Sequence, residues 1–95
     1  SNENNFSREG KVIINHPVFI GKNVSLKNST LGPNVSIGNN CVITDSKIQS
    51  SIVYNESNIS NANINNSILG SNCNYDGSNK EIFLGDYSQI NNNEK

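Results

Sequence analysis

Three kinds of side chain in this sequence could do chemistry: one histidine, two cysteines and a scatter of carboxylates. His16 is the only histidine. Imidazole suits general-base work near neutral pH, but no second titratable group is spaced to act with it, and Pro17 follows it directly. It reads as an exposed turn residue. Cys41 and Cys73 lack the C-x-x-C spacing that metal or redox sites use. Asp45, Glu56, Asp76, Glu81 and Asp86 form no pair suited to acid–base work, and dispersed carboxylates of this kind are ordinarily solvated. Gly32 and Gly38, six apart in the run LGPNVSIGNNCVI, look at first like part of a glycine-rich phosphate loop. Such a loop must open a helix, and no helical period follows.

Composition narrows the classes further. The 95 residues make one domain the default. Hydrophobic residues are only 33%, while asparagine numbers 21 and serine 14. A polar chain is often disordered, but disorder usually also carries high net charge, and here it is −1. The seven Lys and Arg are dispersed, which argues against a nucleic-acid partner. No apolar run approaches the roughly 18 residues of a membrane span. No charged leader precedes an apolar run, so no signal peptide is read and the expected compartment is the cytoplasm.

What organises the chain is a repeat. From Ile14, steps of five or six residues land on Ile20, Leu26, Leu31, Ile37, Ile43, Ile48, Val53, Ile59, Ile64, Leu69 and Tyr75. Every third position forms a column: Ile14, Leu31, Ile48, Ile64; then Ile20, Ile37, Val53, Leu69; then Leu26, Ile43, Ile59, Tyr75. All three columns keep a superperiod of 16 to 17 residues. A smaller column, Val24, Cys41, Ser57 and Cys73, lies four residues beyond the second. The chain therefore turns a corner every five or six residues and closes a coil after three. This predicts an all-β fold, a parallel β-helix of about four triangular coils over residues 10–79. Stacked coils pair as parallel strands about 4.8 Å apart, so like residues stack on like.

This geometry assigns further residues. Ile20, Leu31, Ile37, Ile43 and Leu69 are core residues at the corners. Gly21, Gly32, Gly38 and Gly70 each follow a column aliphatic and are read as letting the backbone turn. Asparagine tolerates left-handed torsions and can bond to its neighbours above and below. Cys41 and Cys73 fall two coils apart, nearly 10 Å, too far for a disulfide, so they are read as free thiols in the core. Phe19 and Val42 directly precede column residues, point outward by alternation and are the candidate interface residues. Gly10-Lys11-Val12-Ile13 and Lys80-Glu81-Ile82-Phe83-Leu84 are read as covering the two ends, residues 80–95 being a capping strand and tail. Residues 1–9 are read as a linker, Ser1-Asn2 as a cloning remnant.

The units Ile20-Gly21-Lys22-Asn23-Val24-Ser25, Leu31-Gly32-Pro33-Asn34-Val35-Ser36 and Ile37-Gly38-Asn39-Asn40-Cys41-Val42 resemble the hexapeptide repeats of the left-handed parallel β-helix. Pro17-Val18-Phe19-Ile20-Gly21, Ser51-Ile52-Val53, Ser67-Ile68-Leu69-Gly70 and the closing Leu84-Gly85-Asp86-Tyr87-Ser88-Gln89-Ile90 extend the likeness. Together they resemble the C-terminal domain of long-form glucose-1-phosphate thymidylyltransferases over roughly residues 10 to 90.

That resemblance implies the left-handed winding, which the spacing does not show. It implies an N-terminal nucleotidyltransferase domain as partner, joining a deoxythymidine nucleotide to glucose 1-phosphate, with release of pyrophosphate and use of Mg²⁺. The family's glycine-rich, Arg- and Lys-bearing nucleotide loop has no counterpart here, so no catalytic residue and no cofactor are assigned to this domain. Assembly, interdomain docking or regulation is the expected role, with a homo-oligomer, a trimer by family habit. Two alternatives stay open. One is a related nucleotidyltransferase with another nucleotide, guanylyl or adenylyl. The other is an acetyltransferase using acetyl-CoA on an amino-sugar phosphate, with His16 as base and Asn15 or Tyr54 assisting. A third relative of the fold, the zinc carbonic anhydrase, needs three ligands, and one histidine per chain does not supply them.

Overall fold

The computed structural model describes residues 6–77. Thirteen short strands follow one another in this span: β1 (Phe6–Glu9), β2 (Ile13–Ile14), β3 (Val18–Ile20), β4 (Val24–Lys27), β5 (Thr30–Leu31), β6 (Val35–Ile37), β7 (Val42–Thr44), β8 (Lys47–Gln49), β9 (Ser51–Val53), β10 (Asn58–Ser60), β11 (Asn63–Asn65), β12 (Ile68–Leu69) and β13 (Asn74–Asp76). They form three sheets, in the orders β1-β4-β7-β10-β13, β2-β5-β8-β11 and β3-β6-β9-β12. Neighbouring strands pair in parallel in all three. Each run of three strands is one coil, so the described chain makes four coils and begins a fifth with β13. This is the parallel β-helix expected from the repeat, with about four triangular coils.

The columns are the register. Ile14 pairs with Leu31, Leu31 with Ile48 and Ile48 with Ile64. Ile20, Ile37, Val53 and Leu69 pair in the same way, as do Leu26, Ile43, Ile59 and Tyr75. Leu31, Ile43, Ile48 and Leu69 are 0% exposed. Each such side chain gains roughly 1.5–3 kcal/mol from burial. These aliphatics lie within the strands and so line the walls of the prism; the sequence reading had them fill the corners.

Residues 6–9, read from sequence as linker, are a side of the first coil. β1 pairs with β4, Phe6 opposite Val24 and Arg8 opposite Leu26. The repeat was invisible there because Arg8 stands where other coils carry an aliphatic. Its guanidinium lies 5.4 Å from the centre of the Phe6 ring, a cation–π distance, and stays exposed at the first end. Gly10–Ile13 is likewise a corner and the start of β2, paired to Thr30, and does not cap the end. Lys80–Leu84 and Gly85–Gln89 lie outside the described residues.

The corners differ from expectation in one respect. Among the described residues, ten non-glycine residues adopt left-handed torsions, and seven of them are asparagine: Asn23, Asn28, Asn34, Asn40, Asn61, Asn66 and Asn72. Of the four glycines read as turn-makers, only Gly32 has positive φ, at 102°. Gly21 and Gly38 serve a different need. A Cβ on Gly38 would fall on the Asn55 side-chain oxygen of the next coil, and one on Gly21 on that of Asn39. Those oxygens accept backbone amides: Lys22 N to Asn39 Oδ1 at 2.8 Å and Asn39 N to Asn55 Oδ1 at 2.9 Å. The glycines make room for an asparagine ladder. Further rungs join Asn23 to Asn40 at 3.1 Å and Asn58 to Asn74 at 2.8 Å.

Candidate functional site

The corner serines show how the polar interior is satisfied, and therefore what it can do. Ser29, Ser46, Ser51 and Ser67 are buried, and each falls within a five-residue step. Each donates its hydroxyl to the carbonyl two residues earlier, on Lys27, Thr44, Gln49 and Asn65, at 2.8 Å. The Ser29, Ser46 and Ser51 oxygens also accept the amide stacked above them, from Ser46, Ala62 and Ser67, at 3.1 Å. Ser57 does the same work in its own column, donating to Gly70 O at 3.1 Å and accepting from Cys73 N at 3.2 Å. These hydroxyls replace backbone partners where the short corner leaves polar groups buried. They are committed to structure and not poised as nucleophiles.

The cysteines are equally committed. Cys41 and Cys73 are free and buried. The Cys41 thiol donates to Tyr54 O at 3.2 Å. Burial pushes its pKa above the ordinary thiol range; backbone hydrogen bonds oppose the shift and the nearby Glu56 charge adds to it. Burial alone raises Cys73. Neither is a ready thiolate, the form that reacts.

His16 lies exposed in the corner between β2 and β3, with Asn15 and Pro17 exposed on either side. Tyr54 is exposed at the far end of β9, two coils up and across the width of the third sheet, so the register does not bring it to His16. Asp45 and Glu56 are exposed corner residues, Asp76 ends β13, and Glu81 and Asp86 lie outside the described residues. Among the described residues, no group of three or more His, Cys, Asp or Glu is placed to hold a metal ion. No helix there is long and apolar enough to cross a membrane.

What the structure does assemble is a surface. Phe19, Ser36, Ile52 and Ile68 stack in register on the outer face of the third sheet. Phe19 is 67% exposed, and Ile52 and Ile68 are exposed beside it. Tyr54 adjoins the same sheet at its corner. Val42, the second interface candidate, is exposed as well but sits on the first sheet, between Ser25 and Asn58. The two candidates therefore belong to different faces. Sequence reasoning missed Ile52 and Ile68, although both directly precede column residues, as Phe19 does. Beside Ile52 and Ile68, a shallow groove of about 460 Å³ runs along the corner, lined also by Asn34, Ser50 and Asn66.

The model of one family, the GMPPB C-terminal domain, matches residues 8–93. The chain belongs to that family. The GMPPB C-terminal domain match starts at Arg8, inside β1, and so includes residues the sequence reading placed in a linker. The chain is thus the C-terminal domain of a sugar-phosphate nucleotidyltransferase, a coarser statement than the thymidylyltransferase likeness. No curated protein and no solved structure matches it.

Proposed function

We propose that this GMPPB C-terminal domain serves assembly and interdomain docking of its parent nucleotidyltransferase, and that the nucleotidyl transfer itself is done by a partner N-terminal domain. The observation that carries this reading is the outer face of the third sheet, where Phe19, Ile52 and Ile68 stand exposed on one uncharged surface. Exposed apolar side chains gathered on one face mark contact sites. The buried serines and cysteines, by contrast, are used up in holding the coils together.

The parent reaction belongs to the same proposal. It joins a nucleotide to a sugar 1-phosphate and releases pyrophosphate, in the thymidylyl form suggested by the sequence likeness or in the guanylyl form. The Mg²⁺ that such transfer uses has no fitting ligand cluster among the described residues, and no step through it belongs to this domain. The cytoplasm is the compartment this reading expects.

Sedimentation of the full chain tests the assembly role: concentration-dependent association supports it, and a monomer at every concentration sinks it. Assaying the parent enzyme with dTTP and with GTP decides the nucleotide. The acetyltransferase alternative predicts turnover of acetyl-CoA with glucosamine 1-phosphate that His16→Ala abolishes. Such turnover would overturn docking as the full account.

A further inference from the structure

We propose that the third sheet is a self-association face that pairs two copies of this domain back to back with their helix axes antiparallel. This rests on the assembly reading above and names its surface, its partner and its geometry.

Charge selects the partner. β3, β6, β9 and β12 contain no Lys, Arg, Asp or Glu. The first sheet carries Glu9, Lys27 and Asp76 in one outward row, and the second carries Lys47. A threefold ring about an axis parallel to the helices would set the third sheet of one copy against a different face of the next, and so against these charges. Burying a charge without a partner is costly. Among the described residues, the uncharged sheet offered to this one is the same sheet on a second copy, an isologous two-fold contact.

Shape selects the direction. The outward row reads Phe19, Ser36, Ile52, Ile68 from the first coil to the fourth. In a parallel pair each residue meets itself, so two Phe19 rings collide while two Ser36 side chains leave a gap. In an antiparallel pair Phe19 meets Ile68 and Ser36 meets Ile52, so large faces medium and small faces medium along the whole row. The groove agrees. Its walls include Ile52 and Ile68, toward the opposite end of the face from the protruding Phe19 ring. An antiparallel partner brings its own ring to that end.

The face is small. Four strands about 4.8 Å apart and three to five residues wide present roughly 200–300 Å², about a third of what a stable dimer buries per partner. The contact is therefore a weak one in the isolated chain, so sedimentation must reach roughly millimolar concentration, where weak contacts form. Phe19→Asp or Ile52→Lys is expected to raise the dissociation constant at least about tenfold, and Val42→Lys, on the first sheet, to leave it within about twofold. Association that survives both third-sheet changes, or is lost with Val42→Lys, overturns the proposed face and leaves the assembly reading standing. A wild type that stays monomeric overturns both.

Cysteine trapping tests the direction and stands even if Phe19→Asp fails to fold. Residues 19 and 68 lie three coils apart, about 14 Å, beyond the 7 Å limit for a disulfide within one chain. A chain carrying both Phe19→Cys and Ile68→Cys is expected to form oxidised dimers, and each single variant is not. Oxidised dimers from Phe19→Cys alone overturn the antiparallel geometry.

Discussion

The buried amide of Ser67 donates to the hydroxyl oxygen of Ser51, one coil below, at 3.1 Å. Ser51 in turn donates to Gln49 O at 2.8 Å. One hydroxyl thus serves a carbonyl in its own corner and an amide in the next coil, and so ties a local turn to the stacking of coils.

Removing such a hydroxyl leaves both groups without their side-chain partner. Ser51→Ala and Ser46→Ala are each expected to cost about 1–3 kcal/mol, the usual penalty for orphaned buried polar groups. For a domain of this size that lowers the melting temperature by roughly 4–8 °C per kcal/mol. Ser25→Ala, at an exposed position, should stay within about 0.5 kcal/mol. Thermal unfolding followed by circular dichroism checks all three. Equal melting temperatures would show that the ladder contributes nothing.

The glycines divide in the same way. Gly38 has no room for a methyl group: its Cβ would fall on the Asn55 side-chain oxygen and lie 2.8 Å from the Asn55 amide nitrogen. Gly38→Ala is expected to cost about 1–3 kcal/mol through overpacking. Gly70 has ordinary torsions, and among the described residues no atom lies within 4 Å of where its Cβ would stand. Gly70→Ala should be neutral or stabilise by up to about 1 kcal/mol, by restricting the unfolded chain. Urea unfolding of the two variants is the measurement, and similar midpoints would refute the distinction.

The core was legible because parallel stacking places like on like, so Leu31, Ile48 and Ile64 could be found by counting. Part of the corner chemistry was legible too and went unread. Ser29, Ser46, Ser51 and Ser67 each stand three residues after a column aliphatic that opens a five-residue step, and only Ala62 breaks the rule. The candidate surface was half legible. Alternation pointed Phe19 and Val42 outward, but which residues share a face depends on which sheet each strand joins, and that took Phe19 to Ile52 and Ile68. β1 was hidden by Arg8, because an end coil has no neighbour to bury the aliphatic that marks the others. The distinction between Gly38 and Gly70 depends on Asn55 lying in the coil above Gly38, which no local pattern carries.

Glu56 occupies a corner whose stacked equivalents are Asn23, Asn40 and Asn72, and it holds φ at 62°. Left-handed torsions cost a residue with a long side chain roughly 1–2 kcal/mol, and asparagine less. Glu56→Asn is therefore expected to stabilise the domain by about 0.5–1 kcal/mol, and Glu56→Gly to do so less, since glycine loses more entropy on folding. It also removes a negative charge that raises the Cys41 pKa, so the comparison belongs at neutral pH, where the thiol is uncharged in both. A lowered denaturation midpoint for Glu56→Asn would show that torsion does not limit this corner.

Alkaline pH should expose the buried thiols. Burial raises Cys41 and Cys73 above their ordinary range, so the folded state holds these protons more tightly than the unfolded chain does. Stability from this source is fully present below the unfolded thiol pKa of about 8.5 and is lost as pH rises through the folded values, because the unfolded chain then binds fewer protons. Tyr75, raised first by burial and then by Asp76, adds a loss of the same sign at higher pH, starting near its unfolded value of about 10. Unfolding midpoints should therefore be level from about pH 7 to 8 and fall beyond about pH 8.5. Cys41→Ala with Cys73→Ala should flatten the first part of that fall, whatever the variants cost at neutral pH. An unchanged slope in the double variant would remove the thiols as its cause.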